Sequence, residues 1–247
     1  MKKIDTASET TAGFAVKAPP QPSVAIFGET VRFPVRRIFC VGRNYAAHAR
    51  EMGRDPDREP PFFFTKPADA VVDAGLDDEA VIAYPPETRN LHHEIELTVA
   101  IGEGGRDIAV EAALDHVFGY AASLDLTRRD LQLAARDQGR PWDWGKAFDA
   151  SAPIAPIHRS VDVGHKPTGR IWLTVNGESR QDADLAELIW PTMDVISIIS
   201  RSMTLVPGDL IMTGTPAGVG PLVPGDIIEG GIEGLGTVHV TIGERAR

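Results

Sequence analysis

The sequence predicts a β-rich α+β fold, and three observations carry the prediction. Short runs of β-branched and aliphatic residues recur along the chain, an Asn176-Gly177 pair directly follows one of them, and 24 glycines with 19 prolines supply many turns. Asn-Gly between strand-like runs is a strong hairpin signal, and Gly and Pro are the residues that punctuate short strands.

Taken in order, residues 1–24 are rich in Thr, Ala, Ser and Pro and read as a poorly ordered arm, leaving one domain over 25–247. Arg37 to Val41 reads as a strand ending at Gly42, and Tyr45 to Met52 as a short helix broken near Gly53. Phe62-Phe63-Phe64-Thr65 reads as a buried strand, whereas 67–90, with Pro67, Gly75, Pro85 and Pro86, reads as loop. Residues 94–101 and 119–124 read as strands. Thr127 to Gln138 is a predicted helix, with Thr127 as N-cap and Asp130 completing an approximate capping box. Strands follow over 171–175, 209–213, 226–232 and 237–242, interrupted by a helix over 193–202. Two Leu-Val-Pro-Gly-Asp stretches, 205–209 and 222–226, share a turn-then-strand spacing. Similar hairpin entries in one β-roll account for them as well as an internal duplication does.

Composition sets further bounds. The chain has 247 residues, 43% of them apolar and 24% charged, ordinary values for a globular protein with one substantial core. A net charge of −10 disfavours nucleic acid or an anionic membrane as the main partner. A small anionic ligand is compatible with it where a cation and a few basic residues reverse the field locally. Cys40 is the only cysteine, so no intrachain disulfide forms. The first residues lack the apolar segment of a signal peptide, and no run reaches the length of a membrane span. A cytoplasmic protein is expected.

The most informative stretch is His92-His93-Glu94-Ile95-Glu96-Leu97. With a side-chain period of two, Glu94 and Glu96 share one face of a strand and Ile95 and Leu97 the other. Adjacent carboxylates repel, and a divalent cation between them removes the conflict; oxygen-only ligands suit Mg²⁺, Mn²⁺ or Ca²⁺ rather than Zn²⁺. A solvent-facing strand edge is the plain alternative. Asp125 stands where a strand hands over to a helix, a position that suits either a third ligand or a helix cap. His48 and Glu51, three apart on a short helix, form either an acid–base pair or a surface pair. Lys146, among Trp142, Trp144 and Phe148, is either a salt bridge at the core rim or an anion-binding group. Of Arg128 and Arg129, one suits bidentate binding of a carboxylate and the other ordinary surface charge. His92 and His93 are kept out of the metal shell, since His93 faces away from Glu94.

Together these residues resemble the fumarylacetoacetate hydrolase family. The matching runs, all in the family's order over about 36–240, begin with Gly42-Arg43-Asn44-Tyr45 with His48 and Glu51, Lys66-Pro67, and His93-Glu94-Ile95-Glu96-Leu97. They continue with Leu124-Asp125-Leu126-Thr127-Arg128-Arg129-Asp130, Gly145-Lys146-Ala147-Phe148-Asp149, Val175-Asn176-Gly177-Glu178, Pro207-Gly208-Asp209 and Thr213-Gly214-Thr215-Pro216. The resemblance implies a mixed β-sandwich roll of the fumarylacetoacetase C-terminal type, usually a homodimer. It implies that Glu94, Glu96 and Asp125 bind one Mg²⁺ or Mn²⁺ per subunit, and that His48 and Glu51 activate water. Lys146 then serves catalysis, and Arg129, Gln132 and Thr215 hold a small oxo-acid substrate.

The stretches His48 to Gly53 and Asp55 to Phe64 are most similar to members that act on fumarylpyruvate in aromatic catabolism; Gly139-Arg140-Pro141-Trp142 leans the same way, but is similar in acylpyruvate hydrolases and oxaloacetate decarboxylases too. The short arm leaves no room for the separate N-terminal domain of eukaryotic members. The implied reaction is hydrolysis of the carbon–carbon bond of a 2,4-dioxo acid, fumarylpyruvate giving fumarate and pyruvate. The departing carbanion is stabilised as an enolate by the cation. Oxaloacetate decarboxylation and isomerisation of a hydroxymuconate-type diacid are the rival expectations, since neither needs an attacking water. A non-catalytic scaffold of the same fold is a more distant one.

Overall fold

Alternation along Ile95–Ile101 sets the layering. Ile95, Leu97 and Val99 enter one hydrophobic core, while Ala100 enters a second core on the opposite face and Glu96 and Thr98 share that parity. The computed structural model describes residues 13–51, 60–75, 80–166 and 168–245, the side chains of Ala49 and Glu51 excepted. The Ile95–Ile101 strand lies inside a large mixed sheet, whose order is Phe62–Lys66, Arg37–Gly42, Asp209–Met212, Ile95–Ile101, Val117–Leu124, Ala152–Ile154 and Val71–Asp73. Asp209–Met212 runs parallel to Arg37–Gly42 and antiparallel to Ile95–Ile101, so the sheet is mixed.

A second, five-stranded sheet has the order Glu178–Asp184, Arg170–Val175, Ile227–Ile232, Thr237–Arg245, Ala80–Tyr84. Its Leu173, Ile228, Val238 and Val240 join Leu97 and Val99 in the larger core. The far side of the main sheet, with Ile38, Cys40, Leu210 and Met212, is covered by Val24, Ile26, Phe33 and Val35. Each fully buried aliphatic side chain here contributes roughly 1.5–3 kcal/mol. The β-rich α+β, two-sheet roll expected from the sequence is the fold observed.

The turn chemistry follows the residues. Asn176 and Gly177 both have positive φ, 52° and 79°, the type I′ geometry that joins twisted antiparallel strands. In both Val-Pro-Gly-Asp stretches the aspartate carboxylate closes the turn onto the valine N–H, at 3.0 Å for Asp209 and 2.8 Å for Asp226. The two turns feed different sheets, so what they share is turn chemistry.

Several expectations are corrected. Val24 is buried and Ser23–Ala25 pairs with Arg32–Pro34, so the packed body begins inside the span read as an arm; residues 1–12 lie outside the described residues. The 67–90 stretch is not all loop: it holds Val71–Asp73 and Ala80–Tyr84, whose parallel partners Ala152–Ile154 and Thr237–Arg245 are far along the chain. Phe62, Phe63 and Phe64 are only half-buried because their strand is the sheet's edge. Thr127 is not a helix cap: it pairs with His92 in a small ribbon, and the helix runs Arg129–Asp137. Met52 and Gly53, where the first helix was expected to break, lie outside the described residues.

Candidate active site

Strand pairing brings the carboxylates together. Ile95–Ile101 and Val117–Leu124 are antiparallel with Ile95 opposite Leu124, so Glu94 and Asp125 meet where the ladder ends, and the Asp125 N–H donates to the Glu94 carbonyl at 2.9 Å. Glu94, Glu96 and Asp125 each offer an oxygen within 4.8 Å of the others. All three are buried, at 4%, 2% and 0% exposure, which excludes the solvent-facing strand edge.

Cations answer this cluster unevenly. The Lys146 ammonium, itself buried, lies 2.8 Å from Glu94 Oε2 and 2.5 Å from Asp125 Oδ2. It is therefore an ion-pair partner of the acidic cluster rather than a rim salt bridge. The Arg129 guanidinium donates to Glu94 Oε1 and to Gln132 Oε1. Burial works against charge on Glu94, but Lys146 and then Arg129 outweigh it and hold this carboxyl well below the usual range. Glu96 is the opposite case. Burial, then the charges of Asp125 and Glu94, push its carboxyl well above the usual range, opposed by Lys146 and by the Gly214 N–H 2.7 Å from its Oε2. Lys146 stays protonated because Asp125 and Glu94 overcome its own burial.

The helix Ala46–Glu51 brings His48, almost fully buried, to the same cavity. Arg129, Gln132, Lys146 and Thr215 line that cavity too. The Glu51 backbone closes the helix, and its side chain lies outside the described residues. Arg128 is not surface charge: it is buried with its guanidinium 4.4 Å over the Phe148 ring. His93 takes no place among the carboxylates and faces Gln181, 3.1 Å from its Oε1.

Sequence reasoning assigned no role to Lys66. Its buried ammonium lies 2.8 Å from Asp125 Oδ1 and donates to the carbonyls of Leu126 and Lys146. The signal was present, a lone lysine ending the apolar run Phe62-Phe63-Phe64-Thr65. Gly214 was also missed as a donor. Its φ of +97° suits glycine, and a Cβ there would come within 2.7 Å of Asn44 Cβ.

The donor set fits a hard divalent cation. Every candidate ligand atom is a carboxylate oxygen, the three carboxylates are buried within 4.8 Å of one another, and Glu96, raised by burial and then by its acidic neighbours, is left without a cation of its own as close as those on Glu94 and Asp125.

A carboxylate-walled acid–base cavity on a mixed two-sheet β-roll is the class that this fold and site define. The chain belongs to the fumarylacetoacetate hydrolase family: the profile described as fumarylacetoacetate (FAA) hydrolase C-terminal matches residues 37–243. It is 44% identical to a fumarylpyruvate hydrolase of Ralstonia sp. over 78% of this chain and 98% of that one. It is 43% identical to the mitochondrial oxaloacetate tautomerase FAHD2 of Oryza sativa subsp. japonica, over 85% of this chain and 92% of that one. The crystal structure of a Pseudomonas aeruginosa fumarylpyruvate hydrolase in complex with Mn²⁺ and pyruvate superposes with a TM-score of 0.90 at 54% identity. That match covers 92% of this chain and 98% of the other.

Proposed function

We propose that this chain is a Mg²⁺- or Mn²⁺-dependent hydrolase of acylpyruvates, holding one ion per subunit, that converts fumarylpyruvate and water into fumarate and pyruvate. The observation that carries the reading is a single cavity holding three buried carboxylates, His48 and Lys146. The Ralstonia and Pseudomonas relatives support the choice of substrate, and the latter's Mn²⁺ and pyruvate support the ion and the product.

Glu94, Glu96 and Asp125 would hold the ion, which when bound supplies Lewis-acid stabilisation of negative charge on oxo-acid oxygens. His48, supported by Glu51, takes a proton from water, and the water oxygen attacks the distal carbonyl. The bond between that carbonyl and the methylene breaks, its electron pair leaving with the pyruvate half, which is then protonated at the methylene carbon. Lys146 and Arg129 supply positive charge beside the reacting oxygens, and Gln132 and Thr215 orient the substrate.

Absorbance-monitored turnover of fumarylpyruvate tests the reading. Loss of the enol band with Mg²⁺ or Mn²⁺, equal yields of fumarate and pyruvate, and silence in EDTA are expected. A metal-dependent reaction on oxaloacetate alone would instead support the second reading, tautomerase, which the Oryza relative favours, or decarboxylase, which a Dictyostelium discoideum relative favours. We also propose a single domain that begins by Ser23, where the first strand pairs, and acts as a cytoplasmic homodimer on small oxo acids, without nucleic-acid or membrane partners. The family match over 37–243, the charge of −10 and the absence, among the described residues, of a helix long and apolar enough to cross a membrane support it.

A further inference from the structure

The edge strand Glu178–Asp184 of the second sheet is mostly exposed and polar, with Gln181 as its one fully buried residue, at 1% exposure. A β-bulge sets this apart. Leu173 pairs with Gln181 and Thr174 with Ser179, so Arg180 is an extra residue without an opposite partner. Bulges kink a strand and re-aim the neighbouring side chain, and they gather beside active sites. The bulge is seated tightly: a Cβ on Gly218 (φ +97°) would come within 2.0 Å of the Arg180 carbonyl oxygen.

The carboxamide that this bulge aims inward fills all of its hydrogen-bonding capacity. Gln181 Oε1 accepts from the Ile95 N–H at 3.1 Å and meets His93 Nδ1 at 3.1 Å. Gln181 Nε2 donates to Thr215 Oγ1 and to the Pro216 carbonyl, both at 2.8 Å. The orientation is forced, because the Ile95 amide can only donate and the Pro216 carbonyl can only accept. His93 must then carry its proton on Nδ1.

One side of this bridge is the peptide between Glu94 and Glu96; the other is the loop whose Gly214 N–H binds Glu96 and whose Thr215 lines the cavity. By donating to Thr215 Oγ1, Gln181 leaves the Thr215 hydroxyl hydrogen for an acceptor in the cavity. We propose that Gln181 is a positioning residue, holding the Glu94–Glu96 strand and the Gly214–Thr215 loop at the spacing that cation and substrate binding require. The inference rests on the metal-dependent reading above. Partners that orient a ligand from outside the coordination shell are typically worth 10- to 100-fold in metal affinity or activity.

Two variants of the full chain test it. Gln181→Met keeps the length and removes all four bonds. Gln181→Glu keeps the acceptor for Ile95 and His93, removes the donor for Pro216, and adds a negative charge that by itself favours a cation. Mn²⁺ affinity is read from the free-ion electron paramagnetic resonance signal, with melting in EDTA and Michaelis constants for fumarylpyruvate alongside. The expected result is 10- to 100-fold weaker Mn²⁺ binding in both variants and a raised KM. The loss in Gln181→Glu runs against its charge and so reports geometry. Mn²⁺ affinity within twofold of the parent, with only a lower melting temperature, would overturn the inference, as would failure of Gln181→Glu to fold with or without Mn²⁺. Failure of the unmodified chain to bind Mn²⁺ would instead sink the functional reading beneath it.

Discussion

The cavity has two walls held in different ways. On the strand wall, Glu94, Glu96 and Asp125 sit at the end of a ladder buried on both faces; Gln181 further ties the backbone through the Ile95 N–H, and the Gly214 N–H holds the Glu96 carboxylate. On the helix wall, His48 stands on a helix of only six residues, Ala46–Glu51, too short to be stable by itself. That helix is anchored by Asn44, whose buried amide donates to the carbonyls of Trp190 and Thr213 and accepts from the Trp190 N–H. The contrast matches the chemistry proposed for each wall. Carboxylates that share a cation must keep a spacing against their own repulsion, which a ladder enforces. A base that serves water needs placement but carries no such stored repulsion.

The largest expected effect is on the strand wall. Glu96→Gln keeps shape and an acceptor for Gly214 but removes a charge. Mn²⁺ affinity should fall by at least about 100-fold, beyond what outer-shell changes usually do, and turnover should vanish with it. The chain in EDTA should melt no lower than the parent, because an uncharged amide escapes the burial cost and then the like-charge repulsion that raise the Glu96 carboxyl. Near-parental Mn²⁺ binding would remove Glu96 from the ligand set.

His48→Ala should separate the walls. General-base loss costs about 10²- to 10⁴-fold in rate, so kcat on fumarylpyruvate should fall by that much while Mn²⁺ affinity stays within a few fold. Any metal-dependent decarboxylation of oxaloacetate should suffer far less, since no water attacks there. An equal loss in both reactions would assign His48 to the metal or substrate geometry instead.

Lys66→Met probes the second cation behind Asp125. Removing one partner of a buried ion pair costs about 3–5 kcal/mol, roughly 6–20 °C in melting temperature for a chain of this size. Added Mn²⁺ should recover part of the loss by restoring positive charge to Asp125. A shift of under about 2 °C would show that Lys146 alone compensates this carboxylate.

How much of this was legible follows from which interactions are local. Glu94 and Glu96 could be paired on one face because a strand's period of two is written in adjacent residues, and Asp125 because an apolar run stops there. Lys66 and Gln181 could not be assigned, since each owes its role to partners up to 88 residues away along the chain. Thr127 was misread for the converse reason. Thr-x-x-Asp is a sound local cap signal, but the Thr127 hydroxyl bonds Glu94 Oε1 and the Asp125 carbonyl, and ribbon pairing with His92 prevails. Val71–Asp73 and Ala80–Tyr84 were hidden because their parallel partners lie far along the sequence.

The smallest effect is expected far from either wall. Gly177 closes the hairpin Arg170–Val175 to Glu178–Asp184 at φ +79°, and an added Cβ there meets nothing within 4 Å. Gly177→Ala therefore adds left-handed backbone strain alone, about 1–2 kcal/mol, or roughly 2–8 °C in melting temperature. Gln181 lies on the far strand of that hairpin, four residues on, but its contacts are made by the bulge and the loop rather than by the turn. Mn²⁺ affinity and kcat/KM should thus stay at parental values while stability drops. A matching loss of Mn²⁺ affinity would mean that the turn sets the strand's register, and that the strand wall is held from this hairpin rather than from its own ladder.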